Sequence, residues 1–129
     1  MTLRRPGIIA CLAVIMAACA STPTFRAGDV TVVDESGLVT AAEALQSATV
    51  EAPSAVAGDS LTQVVVSWPA DTCIENWLVR LAGNALSLTI EAGTRLVNCA
   101  GSPTGHAIEL TLNRVVDAGA IDISLAGAP

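Results

Sequence analysis

The strongest constraint on this chain is a period of two. From residue 86 onward apolar residues return at every second position: Leu86, Leu88 and Ile90, then Ile108, Leu110 and Leu112, then Ile121, Ile123 and Leu125. Successive side chains of an extended chain point to opposite faces, so each run buries one face and wets the other. Half-buried strands of this kind predict an antiparallel sheet with one solvated side. Segment 61–68 extends the pattern, with Val64, Val66 and Trp68 on one face.

Turn signals separate the runs. Asp34-Glu35-Ser36-Gly37 follows a candidate strand at 30–33, and Gly83-Asn84 is a hairpin turn between 77–81 and 85–91. Further turns fall at Gly93, at 101–105 and at 117–119. Pro53 closes another candidate strand at 48–52, and Pro69 closes 61–68, because proline cannot donate to a ladder. Segment 38–47 reads two ways. Thr40 and Glu43 have capping-box spacing before Ala/Leu-rich sequence, which suits one or two helical turns, but a loop fits equally. The whole gives about seven short strands, spaced as in a small all-β sandwich.

A chain of 129 residues holds one such domain. With one phenylalanine, two tryptophans and no tyrosine, its core must be mainly aliphatic, with Trp68 and Trp77 as the largest pieces.

The N-terminus reads as a targeting segment. Arg4 and Arg5 form a charged region, residues 8–16 an apolar one, and small residues surround Cys19. The apolar run is shorter than the ~20 residues a membrane span needs. Met16-Ala17-Ala18-Cys19 resembles the lipobox of bacterial lipoprotein signals, with Met standing at the position usually held by Leu, Val or Ile. That resemblance implies cleavage after residue 18 and a diacylglycerol on the Cys19 sulfur. It divides the chain into a signal peptide at 1–18, a lipidated tether at 19–29 and a sandwich domain at 30–129. Ile8-Ile9-Ala10-Cys11 has the same letters but leaves almost no apolar region before it. Ala18-Cys19-Ala20 also satisfies ordinary secretory cleavage after Ala20, which would release a soluble protein. Arg4-Arg5 lacks the flanking residues of a twin-arginine signal.

The turn-rich stretch 53–59 before 61–68 resembles the entry to a strand in bacterial Ig-like domains. The resemblance covers residues 50–125 at the level of a sandwich. Trp77 lies only four residues after Cys73, so the Cys…Trp…Cys landmark of antibody domains is not reproduced.

Once Cys11 leaves with the leader and Cys19 carries lipid, Cys73 and Cys99 remain as a pair. Outside the cytoplasm such a pair in a small domain forms a structural disulfide, and it lacks the Cys-x-x-Cys spacing of redox centres. His106 is the only histidine. A metal set of Cys73, Cys99 and His106 has no Cys-x₂₋₄-Cys spacing and competes with oxidation. A Ser-His-Asp arrangement has no Gly-x-Ser-x-Gly elbow to support it. Asp34-Glu35 and the pair Asp71/Glu75 follow no calcium-loop pattern. Trp68 and Trp77 are candidates for stacking a sugar, but Trp68 continues the Val64/Val66 face and belongs to the core. No cofactor is called for.

Removal of the leader leaves four arginines against twelve acids, a charge of −8. The arginines are scattered, so nucleic-acid binding is disfavoured. The expectation is a membrane-anchored extracytoplasmic lipoprotein. Its domain is expected to be a non-enzymatic binding module for an envelope protein or glycan, presenting loops 71–76 and 100–105. The alternative is a small hydrolase or sugar-processing domain using His106.

Overall fold

Each period-two run past residue 60 is a strand in the computed structural model, which describes residues 22–83 and 86–126. The described residues form nine strands. They are β1 (Thr24–Ala27), β2 (Val30–Asp34), β3 (Val39–Leu45), β4 (Ser54–Ala57) and β5 (Gln63–Asp71), followed by β6 (Trp77–Ala82), β7 (Ser87–Ala92), β8 (Pro103–Leu112) and β9 (Asp122–Ala126). Two sheets face each other, one ordered β1-β2-β6-β7-β9 and the other β3-β8-β5-β4. The chain is therefore an all-β sandwich, and Cys73 is bonded to Cys99. Its core is aliphatic apart from Trp68 and Trp77: Val32, Val66, Val79, Leu81, Leu88, Ile90, Ile108 and Leu110 are fully buried between the sheets.

Most pairings are antiparallel, but β2 with β6 and β7 with β9 are parallel. Between β2 and β6, and between β7 and β9, the chain crosses to the other sheet and returns, as parallel neighbours require. Alternation reports which face a residue takes and is blind to strand direction.

Four expectations need correction. The folded part begins before residue 30, because Thr24–Ala27, read as tether, pairs with β2 and buries Ala27. Segment 38–47 is neither helix nor loop but strand β3, paired with β8. The edge of β8 supplies ladder partners for that segment, and this tertiary pairing overrides the high helical propensity of its alanines. Segment 48–52 is not a strand. It crosses the outer face of the second sheet over Gly105, where a Cβ would collide with the Val50 side chain and the Ala48 carbonyl. Ser47 Oγ donates to the Gly105 carbonyl at the same crossing. Strand β4 lies instead at Ser54–Ala57, within the stretch read as turn.

The fourth correction concerns Pro69, which lies inside β5 rather than beyond its end. Thr62 accepts the Leu112 N–H and Thr72 donates to Ser102, so even positions of β5 turn toward β8. Odd positions, Pro69 among them, turn toward β4. The last β4 partner is Ser67, so the missing proline N–H removes no ladder bond.

Strand directions give the sandwich two distinct ends. The start of β1 and the β2–β3, β4–β5, β6–β7 and β8–β9 connections share one, here the entry end. The β1–β2, β3–β4, β5–β6 and β7–β8 connections share the far end.

Candidate functional site

At the far end two loops are joined along their length. The β5–β6 loop carries Cys73 and the β7–β8 loop carries Cys99, with the two Cα atoms 5.8 Å apart. Leu96 N–H donates to the Cys73 carbonyl at 2.8 Å, and Glu75 N–H to Thr94 at 2.9 Å. Gly93 N–H donates to the Asn76 carbonyl at 2.8 Å, and Thr94 N–H to Asn76 Oδ1 at 3.0 Å. Asp71 closes the arrangement. Its Oδ1 accepts from Cys73 N–H at 2.8 Å, and its Oδ2 lies 3.6 Å from Arg95. Gly101 packs so tightly on the Asp71 carboxylate that any Cβ there would overlap it. Loops of this length are ordinarily the mobile part of a sandwich; covalent and hydrogen-bonded cross-links fix these two.

Beside this platform runs a groove of about 390 Å³. Pro69 and Asp71 form one wall, Pro103 and Gly101 extend it, Leu125 of β9 stands opposite, and Ile74 and Trp77 line it from within. The groove opens where β4 stops short, leaving the last residues of β5 uncovered beside the edge strand of the other sheet. Its volume falls in the range of small-ligand sites, and its lining is largely apolar with one carboxylate.

Behind the groove Trp68, Trp77 and His106 form an aromatic cluster. Trp68 and Trp77 pack edge to face with centroids 5.9 Å apart, and His106 stacks on Trp68 at 5.8 Å. His106 is the direct cross-strand partner of Trp68, so both side chains leave their strands on the inner face. Burial lowers the His106 pKa below its ordinary value, and the charge of Asp29 partly opposes this. Neutral imidazole is therefore the form the cluster favours. Among the described residues neither indole N–H finds a hydrogen-bond acceptor. Both tryptophans belong to the core, and only Trp77 also touches the groove.

The remaining candidate residues hold the architecture. Cys73 and Cys99 are bonded to each other, which leaves a Cys–Cys–His metal set without thiolates. Asp34 is buried at the entry end, where Oδ1 accepts from Ser36 N–H, Ser36 Oγ and Gly37 N–H, and Oδ2 from Val39 N–H. That carboxylate is saturated by the turn it organises. Glu35 pairs with Arg80 at 3.6 Å across exposed surface. Cys19, the residue read as lipidated, lies outside the described residues, as do Cys11 and the rest of the leader.

Sequence reasoning named both cysteine loops and the two tryptophans, but not Pro69, Ile74 or Leu125 as groove residues. Pro69 carried a signal, since a proline inside an apolar run marks a place where one side of a strand is unpaired. Leu125 carried none, because nothing local says that β9 lies beside β7. The chain matches no protein-family model, no curated protein and no solved structure.

Proposed function

We propose that this chain is an extracytoplasmic lipoprotein, anchored through Cys19, whose sandwich is a non-enzymatic binding module of the cell envelope. One observation carries the binding part. The groove walled by Pro69, Asp71 and Leu125 borders the two loops that the Cys73–Cys99 bond immobilises, at the end of the sandwich opposite the entry of β1. A protein held by its N-terminus presents that end outward. Rigid loops also suit recognition, because less conformational freedom is lost on binding.

Two experiments test the reading. Membrane fractionation with mass analysis of the mature N-terminus should find lipid on Cys19 of the wild type, and loss of lipoprotein processing in Cys19→Ser. An unmodified N-terminus at Ser21 would mean ordinary secretion. Crosslinking in cells followed by pull-down should recover an envelope protein or glycan that is lost in Leu125→Arg, a groove-filling change at a partly exposed position. Recovery of nothing beyond an unrelated lipoprotein control refutes the binding module.

A further inference from the structure

The entry end carries apolar loop tips that the fold does not use. Leu61 in the β4–β5 turn is 74% exposed, and Val115 in the β8–β9 connection is 63% exposed. The two loops leave the sheet side by side, since Thr62 accepts the Leu112 N–H at 2.8 Å. Exposed apolar side chains occur at the far end too, Val97 among them, so a reason to single out Leu61 and Val115 has to come from where the chain enters the domain.

Chain length supplies that reason. Cys19 and Thr24 are five residues apart, a reach of at most about 18 Å even when fully extended. Strand β1 begins at the entry end, so a lipid on Cys19 confines that end to the bilayer surface. The far end lies about 30 Å further along the nine residues of β5. We infer that the entry end is a membrane-contact surface. Leu61 and Val115 rest in the interfacial zone of the bilayer and hold the groove end pointing away from it. This rests on the lipid-anchor reading of Cys19.

The contact is apolar in character. Arg114 adjoins Val115, but Asp59 and Asp117 flank the same two tips, so the surface has no positive excess to draw it to anionic headgroups. A neutral phospholipid surface fits it best, and added salt should not release the tips.

The test uses the full chain, processed in cells and reconstituted in phosphatidylcholine vesicles with brominated acyl chains, which quench tryptophan at short range. Leu61→Trp and, separately, Val97→Trp place reporters on exposed positions at opposite ends; Val97 is 87% exposed in the β7–β8 loop. Trp68 and Trp77 are buried toward the far end and give a constant background. The added emission of Leu61→Trp should be lost in brominated vesicles and stay lost in high salt, while that of Val97→Trp should persist. Co-flotation with Leu61→Trp unquenched, or with both reporters quenched alike, overturns the orientation and leaves the anchor standing. Failure of the wild type to float with vesicles overturns the anchor and this inference with it.

Discussion

Breaking the Cys73–Cys99 bond should destabilise the domain strongly while leaving its native structure in place. The bond closes a loop of 26 residues, and the chain-entropy relation for that length gives about 3.5 kcal/mol at 25 °C. For a folded part of about 100 residues this corresponds to a fall in melting temperature of roughly 15–20 °C. It is also a large share of the ~5–15 kcal/mol that holds a domain of this size together. Backbone hydrogen bonds between the same two loops, such as Leu96 N–H to Cys73, do not depend on the sulfurs. They should survive reduction, so the effect falls mainly on the unfolded chain. Single replacements should not be equivalent. Cys73 is fully buried, whereas Cys99 is partly exposed. A serine at 73 leaves a hydroxyl without water, which adds about 1–3 kcal/mol, so Cys73→Ser should be less stable than Cys99→Ser. Thermal and urea unfolding followed by the emission of Trp68 and Trp77, with and without reductant, measures both effects. Equal midpoints for oxidised and reduced protein would refute the reasoning, as would two titratable thiols at these positions in denatured, unreduced wild type.

Three further outcomes follow from other parts of the fold. Asp34→Ala removes four hydrogen bonds and leaves the Val39 N–H buried without an acceptor, so the urea midpoint should fall by the equivalent of about 3 kcal/mol; Ser36→Ala, which keeps the carboxylate, should lose about 1. Gly105→Val forces the 48–50 crossing off the sheet and should destabilise by about 1–3 kcal/mol, with amide exchange rising first in residues 46–53. His106 has a folded-state pKa below its unfolded value near 6.5, so the native state binds fewer protons there. Its contribution is therefore complete above about pH 6.5 and is lost as pH falls from there toward the lowered pKa. His106→Phe should flatten that part of the profile, read as the difference in urea midpoint between wild type and variant from about pH 5 to 8.

The strands were legible where burial imposed a pattern, and illegible where pairing alone made them. Val64, Val66 and Trp68 show their inward face in the sequence because the core demands it. Strands β1 and β4 have four residues each, too few for a period to emerge, and they exist because β2 and β5 offer them an edge. The converse case is 48–52, whose Val50 and Thr49 look like strand residues. The β5 edge that their register would reach carries Pro69, which has no N–H to give, and they cross the sheet over Gly105 instead. Segment 38–47 misled for a related reason. Its Thr40–Glu43 spacing is a helix signal, but Asp34 fixes the preceding turn and takes the Val39 N–H, which delivers the chain onto the edge of β8 already extended.

The same distinction governs the groove. Period-two patterns assign faces but contain no information about which strands are neighbours, so a site formed between two sheets is invisible to them. The cysteines are the exception. A bond between residues 73 and 99 requires the loop after β5 to touch the loop before β8, and that single constraint placed Asp71 and Gly101 on one platform. The opposite wall depends on β9 adding in parallel beside β7, a long-range choice made at the sheet edge, and on β4 starting only at Ser54, opposite Ser67. Had β4 begun three residues earlier it would have covered Pro69 and filled the opening, and Pro69 would have deprived the added pairs of a donor. Pro53, just before β4, would have its nitrogen facing away from β5 in that register and costs such an extension no ladder bond, so the obstacle is Pro69. The groove thus opens beside a proline on an unpaired stretch of edge, a feature written in the sequence but readable only once the strand order is known.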